Sequence, residues 1–423
     1  MNPFVLLFLI LFGAAALCLL MREGLAKKPW QAMICAVLLA LAFSLRASFF
    51  SQVTGDYETF LSMWVNFYRE GGGFRAFGTL PPWCNYHVPY LYFLALFSYL
   101  PVDDLYLIKL LSVLFDLVLA WAAMKLVSRV TRNGLLRLGC FFMVLFWPTV
   151  VLNGSFWGQC DSIYTAFALL AVWLALDDRP KLSMVMWAMS FGFKLQSVFV
   201  LPLIAVLWIY GKYRWHHLLI FPLSYLLLIL PGVLMGLPFW DTVTFYLSQT
   251  GSVGSGLNYN SSSIYAFFRR IPEEQQSSAA LFGILAAGFF LLNLLAVAWL
   301  RRGRMTDRSV LCLALLMAVG IPFLLPHMHD RYFFAADVLA LVLAFTMPPF
   351  FLTAPLVEFA SILGYYAYLS GYVGQRQARY LLGMEYGALS LLAVLILTAF
   401  ALVLSFSRGG KGPRSPALRK NRA

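Results

Sequence analysis

Six short clusters of polar residues interrupt a strongly apolar sequence, at positions 55–58, 85–87, 153–162, 194–196, 258–260 and 327–332. They contain the residue types needed for proton transfer and for phosphate binding. A carboxylate such as Asp56 can act as a general base toward a hydroxyl group. A cation such as Lys194 or Arg331 can hold a phosphate group and neutralise its charge. These residue types indicate acid–base chemistry beside a bound phosphate.

Each cluster also has a purely structural interpretation. Asp56 could be a solvated loop acid or a helix N-cap, and residues 153–162 could form a re-entrant turn in which Asp161 caps the next span. Arg331 could extend its charged end to the membrane surface. Lys194 is harder to explain in this way, because a buried ammonium without an anionic partner is strongly destabilising. We therefore expect an anion near Lys194.

His327, His329 and Asp330 are residue types that bind metal ions, but their spacing does not indicate a metal site. Positions i and i+2 do not share a face of a helix, so the two histidines would diverge on one. We therefore assign no metal ligands and no cofactor from the sequence, and the need for a divalent metal stays open.

The composition indicates which solvent surrounds these clusters. Of 423 residues, 61% are hydrophobic and 12% are charged, whereas soluble proteins average about 25% charged residues. This excludes a soluble enzyme with added membrane anchors, and the 17% aromatic content excludes a disordered chain. We expect an all-α polytopic transmembrane helical bundle, forming a single domain over residues 1–407, with about 13 spans. The predicted spans are residues 3–20, 31–50, 105–127, 138–152, 161–177, 182–193, 195–210, 217–235, 278–300, 309–325, 332–348, 350–370 and 386–406.

Lysine and arginine predict the orientation, because loops rich in these residues stay on the cytoplasmic side. The cations between the first two spans place the N-terminus outside, and the first span is expected to be retained rather than cleaved. Residues 51–104 and 236–277 then form long outer loops, and the basic tail at 408–423 is cytoplasmic. Residues 89–100 are apolar but would cover only ~18 Å of the ~30 Å hydrocarbon core. We expect them to form a juxtamembrane helix.

The formal net charge of +13 follows mainly from this topology. The expected partners of the cytoplasmic cations are the anionic headgroups of membrane lipids, and nucleic acid is not an expected partner. All six polar clusters fall on the outer, non-cytoplasmic side of a cell membrane. Carboxylates, cations, amides and aromatic rings at this boundary predict the transfer of a sugar from a lipid-linked phosphate to an acceptor hydroxyl.

Three segments resemble known enzymes. Gly55-Asp56, an acid in the first outer loop just after a span, resembles the GT-C class of polytopic glycosyltransferases. The segment NGSFWGQCDSIY at 153–164 is similar to an outer turn of their bacterial members related to the GPI mannosyltransferase (PIG-V) family and to the dolichyl-phosphate-glucose-dependent glucosyltransferases. The segment HMHDRYFF at 327–334 is similar to a His-rich outer turn near the end of those chains. The resemblance extends over residues 44–340.

The resemblance implies a GT-C fold with juxtamembrane helices in the first outer loop. It implies a polyprenyl-phosphate-linked donor of mannose or glucose, transfer with inversion, and a glycan or lipid-linked acceptor; the oligomeric state is not predicted. Asp56 would be the catalytic base, and Lys194 and Arg331 would contact the phosphate. The residues implied to line the donor or acceptor site are Gln159, Asp161, His329 and Asp330. The polar clusters themselves add as substrate-binding candidates Tyr57, His87, Trp157, Gln196, Tyr259, Asn260 and His327.

Two other functions compete with this hypothesis. A transporter or flippase of a lipid-linked sugar or polymer would place charged groups near the bilayer midplane, and Asp116 and Asp337 fall within predicted spans. A non-catalytic membrane scaffold would tolerate changes of its outer polar residues. The position of the polar clusters at one end of the spans favours an enzyme.

Overall fold

The computed structural model describes residues 2–249, 256–268, 271–372 and 380–407, and their regular secondary structure is almost entirely helical. The predicted cytoplasmic tail at 408–423 lies outside the described residues. The α-helices are α1 (Pro3–Arg22), α2 (Pro29–Ala47), α3 (Ser62–Glu70), α4 (Val88–Phe97), α5 (Asp104–Val130), α6 (Gly134–Phe146), α7 (Pro148–Val151), α8 (Asp161–Leu176), α9 (Pro180–Phe193), α10 (Leu203–Ile209), α11 (Trp215–Leu218), α12 (Ile220–Leu234), α13 (Phe239–Val243), α14 (Phe245–Gln249), α15 (Glu273–Leu300), α16 (Asp307–Leu324), α17 (Phe334–Thr346), α18 (Thr353–Leu369) and α19 (Met384–Ser407).

Eight helical segments of the described chain are long and apolar enough to cross a membrane. A ninth candidate consists of Gly134–Phe146 and Pro148–Trp157, which meet at an angle of 49°. The bend falls at Pro148, since proline disfavours a helical conformation in the residue before it. Each predicted span contains a helix in the structure. Four of the 13 predicted spans contain helices shorter than the eight candidates, namely those at 161–177, 182–193, 195–210 and 332–348. The chain is therefore an all-α polytopic membrane protein, as the apolar segments predict.

The helices differ in how much of their surface faces other helices. α5 and α16 are buried over most of their length, and α5 packs against α1, α6 and α8. Small residues such as Ala120 and Ala123 are fully buried on α5 and allow neighbouring backbones to approach closely. By contrast, α15 leaves Phe282 and Phe289 largely exposed. α5 is therefore a central helix, and α15 lies at the lipid-facing periphery.

The segment between α2 and α5 contains short helices that cannot cross a membrane. A π-helical turn at Tyr57–Leu61 leads into α3. α4 has 10 residues, and at 1.5 Å per residue it covers about 15 Å of the ~30 Å core. Tyr92 joins it to α12, because its hydroxyl donates to the Leu228 carbonyl at 3.1 Å and accepts from the Gly232 amide at 2.8 Å. α4 coincides with most of the helix predicted at 89–100.

Charged side chains collect near both ends of α5. Close to its start, Lys109 contacts the segment that precedes Asp56. Close to its end, Lys125 pairs with Glu23 at 2.9 Å. The two lysines are separated by ~24 Å along the helix at 1.5 Å per residue. We call these two regions the Asp56 end and the Glu23 end of the bundle.

Two short strands join loops at the Asp56 end. β1 (Asn258–Tyr259) pairs in parallel with β2 (Met328–His329). α18 packs closely over both loops at Gly364, where a Cβ atom would lie 2.7 Å from the Asn260 carbonyl oxygen and 3.0 Å from that of Asp330. The absence of a side chain at Gly364 therefore allows α18 to contact this end of the bundle.

Candidate active site

Asp56 follows the turn that ends α2, and three side chains from distant segments hold its carboxylate. Trp157 Nε1 and Gln159 Nε2 donate to Oδ2 at 2.9 and 2.6 Å. The Tyr368 hydroxyl donates to Oδ1 at 2.9 Å. The Asp56 side chain nevertheless keeps 23% of its surface exposed. The carboxylate is thus fixed in orientation and still accessible to a substrate.

Trp157 is the last residue of a π-helical turn at Leu152–Trp157, and Gln159 follows that turn by two residues. π-Helical turns are rare in proteins, and many of them lie at functional sites. Gly158 ends the turn with a φ of 78°, a left-handed conformation that favours glycine. The backbone N–H of Gln159 then donates to the backbone carbonyl of Asn153 at 2.9 Å, and this hydrogen bond closes a reversal of the chain. This reversal directs the side chains of Trp157 and Gln159 toward Asp56.

A second carboxylate, Asp161, lies behind Gln159 and is buried with a lysine. Lys194 Nζ donates to Asp161 Oδ1 at 2.6 Å, and Asn153 Nδ2 donates to Oδ2 at 2.8 Å. The lysine and aspartate side chains are only 6% and 1% exposed. Gln159 connects the two carboxylates, because its Nε2 donates to Asp56 and its Oε1 lies 3.5 Å from Lys194 Nζ. Asp161 is therefore the anion that buried Lys194 requires.

Arg331 lies between three carboxylates without a close hydrogen bond to any of them. Its guanidinium is 3.8 Å from Asp56, 3.9 Å from Asp161 and 3.7 Å from Asp330, beyond normal hydrogen-bond length. Its buried Nε has no hydrogen-bond partner among the described residues, and the side chain as a whole keeps 19% of its surface exposed. The group also lies over the Trp157 ring, 5.2 Å from the ring centre. Arg331 thus offers hydrogen-bond donors to a ligand next to Asp56, whereas Lys194 is already paired.

Burial determines the protonation of the loop around Arg331. It raises the pKa of Asp330 to about 7, although the neighbouring Arg331 acts in the opposite direction. Burial lowers the pKa of His329 to about 4, and Arg331 adds to that effect. The His329 ring is therefore neutral near pH 7, and it stacks on Tyr259 with 4.7 Å between ring centres. His329 can contribute a hydrogen bond or a ring face, but not a positive charge.

The structure brings Tyr86, rather than the predicted His87, into contact with the site. The Tyr86 hydroxyl donates to Gln159 Oε1 at 2.9 Å. His87 is fully buried on the other side, where its Nε2 lies 3.0 Å from the Thr242 carbonyl oxygen and 3.1 Å from the Tyr225 hydroxyl. Burial lowers the pKa of His87 to about 4. His87 therefore joins α4 to the 239–249 segment.

Four more of the predicted site residues contact other segments of the chain instead of Asp56. The Tyr57 hydroxyl donates to Asp104 at 3.1 Å, and His327 Nδ1 donates to the Gly256 carbonyl at 2.8 Å. Asn260 Oδ1 accepts from the Tyr380 hydroxyl at 3.0 Å, and Gln196 contacts the Tyr332 hydroxyl. These contacts order the loops that surround the site.

Two tyrosines of α18 belong to the site although the sequence did not single them out. Tyr368 stacks on Trp157, with 4.4 Å between ring centres, in addition to its hydrogen bond to Asp56. The Tyr365 hydroxyl accepts from Asn153 Nδ2 at 2.8 Å. The available signal was a run of tyrosines at the end of an apolar span, because buried tyrosine hydroxyls usually have a hydrogen-bond partner.

The metal-binding residue types of the 327–332 cluster do not converge in the structure. His327 binds the Gly256 carbonyl, and His329 stacks on Tyr259. Within the described ranges, no group of three or more His, Cys, Asp or Glu side chains could hold a metal ion.

Comparison with protein families gives a match over a large part of the chain. The model of glycosyltransferase family 87 matches residues 83–326, more than half of the 423 residues. The matched region contains Gln159, Asp161 and Lys194, whereas Asp56 and Arg331 lie outside it. Comparison with curated proteins gives no match.

Proposed function

The chain belongs to glycosyltransferase family 87 and is a membrane glycosyltransferase of the GT-C type, and we propose that it transfers a hexose from polyprenyl phosphate to an acceptor hydroxyl. The proposed sugar is mannose or glucose, and the proposed acceptor is a glycan or a lipid-linked saccharide on the non-cytoplasmic face of the cell membrane. One observation carries the proposal: the fixed Asp56 carboxylate lies 3.8 Å from the Arg331 guanidinium. A base and a phosphate ligand are thereby adjacent.

The hydrogen bonds of Asp56 indicate which oxygen accepts the proton. Oδ2 accepts from Trp157 and Gln159, whereas Oδ1 accepts only from Tyr368 among the described residues. Oδ1 therefore keeps a lone pair for the acceptor hydroxyl. That hydroxyl oxygen attacks the anomeric carbon as its proton moves to Oδ1. The bond between the anomeric carbon and the phosphate oxygen breaks on the opposite side, so the anomeric configuration inverts.

The charges around Arg331 favour the departure of the polyprenyl phosphate. The donor is a phosphodiester with one negative charge, and the departing polyprenyl phosphate gains a second as it takes the bonding electron pair. Asp56 loses its charge in the same step, because it accepts the proton. Arg331 thus loses one anionic neighbour, Asp56, as the phosphate becomes more negative. A cation aimed at charge that develops in the transition state accelerates the reaction.

Lys194 has a different role in this proposal. Its short contact with Asp161 and its burial leave it little capacity for a ligand. The pair instead holds Gln159, which in turn donates to Asp56. Of the two cations that the sequence predicted as phosphate contacts, Arg331 is therefore the one that we propose binds the phosphate directly.

Donor binding should weaken as the pH rises through about 7, the pKa to which burial raises Asp330. Below that pH the Asp330 carboxyl is neutral, and above it a new anion lies 3.7 Å from Arg331 and repels the phosphate. We expect the KM for the donor to rise through this range in the wild type. In Asp330→Asn, which cannot ionise, the KM should stay flat.

The matched control is Asp103→Asn, since Asp103 is exposed and caps α5, a role that asparagine also performs. This variant should keep the wild-type pH profile. An unchanged rise of KM in Asp330→Asn would show that another group causes it.

Purified protein incubated with radiolabelled polyprenyl-phosphate mannose or glucose tests the activity itself, with and without a chelator. We expect the wild type to move label to a glycan or lipid-linked acceptor and to release polyprenyl phosphate. Movement of the donor across sealed vesicles without any transfer of label would instead support the flippase hypothesis.

The charged groups inside the spans, which a transporter would use, are engaged within the protein. Arg46 Nε donates to Asp116 at 2.9 Å, and both side chains are fully buried. The Ser361 hydroxyl donates to Asp337 Oδ1 at 2.9 Å. These contacts join α2 to α5 and α18 to α17, so they support a structural role for both acids.

A further inference from the structure

A fully buried lysine on α5 binds the backbone next to Asp56. Lys109 Nζ donates to the carbonyl oxygens of Phe49 at 2.9 Å, Phe50 at 3.2 Å and Gln52 at 2.6 Å. Within the described part of the chain, these carbonyls are its hydrogen-bond acceptors and no carboxylate forms an ion pair with it. An ammonium buried without an anion is destabilising. The three hydrogen bonds from the Lys109 ammonium instead all go to the backbone of one turn, at residues 49–52.

The turn that Lys109 binds leads directly to the proposed base. The three carbonyls belong to the turn just after α2, whose last residue is Ala47, and Gln52 precedes Asp56 by four residues. The amides of Tyr57 and Glu58 then bond to the Thr54 carbonyl at 3.0 and 3.1 Å. Fixing the 49–52 turn thus fixes the start of the segment that carries Asp56.

The same lysine also contacts the segment that donates to Asp56. A Cβ atom at Gly158 would lie 4.0 Å from both Cγ and Cε of Lys109, so the aliphatic part of the lysine packs against this glycine. Gly158 separates Trp157 from Gln159, the two donors to Oδ2. Lys109 therefore touches both segments whose meeting creates the hydrogen bonds of the carboxylate.

We propose that Lys109 is a positioning residue that holds Asp56 in register with Trp157 and Gln159. This inference rests on the proposed function, since it assumes that Asp56 is the base. Lys109 itself touches neither substrate nor the reacting atoms. Its loss should therefore lower kcat and leave the KM for the donor unchanged, because the phosphate ligand Arg331 is on a different segment.

The test compares Lys109→Met with Lys125→Met, which removes a lysine from the Glu23 end of the same helix. Hydrogen–deuterium exchange of the purified protein should become faster in peptides covering residues 50–58 in Lys109→Met only. The kcat for sugar transfer should fall by ~10–100-fold, the size expected when a reacting group is misplaced by a fraction of an ångström to an ångström. Lys109→Arg, which keeps the charge and donors, should recover part of kcat.

Unchanged exchange at 50–58 in Lys109→Met, or a raised donor KM at normal kcat, would overturn the proposal. If Lys109→Met is not recovered in folded form, Lys109→Gln is measured against the same criteria. The two proposals fail differently: a wild type that transfers no sugar overturns the proposed function, whereas the exchange measurement still decides whether Lys109 fixes the turn.

Discussion

Asp56→Asn is expected to lower the kcat for sugar transfer by ~10³-fold, the scale of general-base catalysis, with donor binding retained. Asparagine has nearly the same shape as aspartate. Its oxygen can accept from Trp157 and Gln159, and its amide group can donate to the Tyr368 hydroxyl. The site should therefore stay assembled, while the group that accepts the proton is lost. Donor binding and single-turnover transfer, measured separately on the same preparation, distinguish the two effects.

Glu58→Gln is the matched control for this variant. Glu58 is an exposed carboxylate two residues further along the same segment. Its neutralisation changes the charge of the loop by the same amount and should leave kcat near the wild-type value. Asp56→Asn that turns over at nearly the normal rate would exclude this carboxylate as the base.

Arg331→Gln should lower kcat/KM for the donor by ~10²–10³-fold, the typical loss when a group that stabilises transition-state charge is removed. The loss should be larger for binding of the product, polyprenyl phosphate, than for binding of the donor, since the product carries one more negative charge. Arg331→Lys should recover only part of the activity, because lysine cannot offer the planar, forked donors of a guanidinium. Inhibition by added polyprenyl phosphate measures the product affinity.

Arg75→Gln provides the control for loss of a cation, because Arg75 is exposed in the loop between α2 and α5. It should leave product inhibition unchanged. If Arg331→Gln binds polyprenyl phosphate as tightly as the wild type, Arg331 is not the phosphate ligand. Lys194 would then be the cation to consider, despite its pairing with Asp161.

The spans could be predicted because lipid imposes one strong condition on the sequence. Backbone that crosses hydrocarbon must be helical and mainly apolar, so long apolar segments indicate helices directly. The short helix α4 was predictable for the same reason, since its apolar residues cannot cover the core. Asp56, Gln159, Asp161, Lys194 and Arg331 stood out because charged and amide groups are costly at the lipid boundary. The structure brings these five residues together.

The direction of individual side chains could not be predicted in the same way. Tyr86 and His87 are neighbours in one cluster, and only tertiary packing decides that the tyrosine faces Gln159 while the histidine faces Thr242. Tyr368 lies in a run of tyrosines at the end of a span, which predicts a hydrogen-bond partner for its hydroxyl but does not identify that partner as Asp56. Lys109 had a usable signal, because a lysine within an apolar segment needs a partner. Its partners, however, are backbone carbonyls, which every sequence contains.

The sequence also suggested a narrower relationship than the family comparison gives. The segment at 153–164 resembles an outer turn of enzymes related to the PIG-V and dolichyl-phosphate-glucose-dependent families, whereas the match is to glycosyltransferase family 87. In the structure this segment forms a π-helical turn and the chain reversal after it, which direct Trp157 and Gln159 toward Asp56. This structural role constrains the sequence of a short motif but does not specify the sugar or the acceptor.

An experimental structure of Asp56→Asn with a bound polyprenyl-phosphate hexose would test the central claim most directly. We expect the phosphate oxygens to accept hydrogen bonds from the Arg331 guanidinium. We also expect residue 56 to lie on the side of the anomeric carbon opposite the phosphate, with room for an acceptor hydroxyl between them. A donor whose phosphate instead binds at the Glu23 end, beside Lys125, would contradict the account.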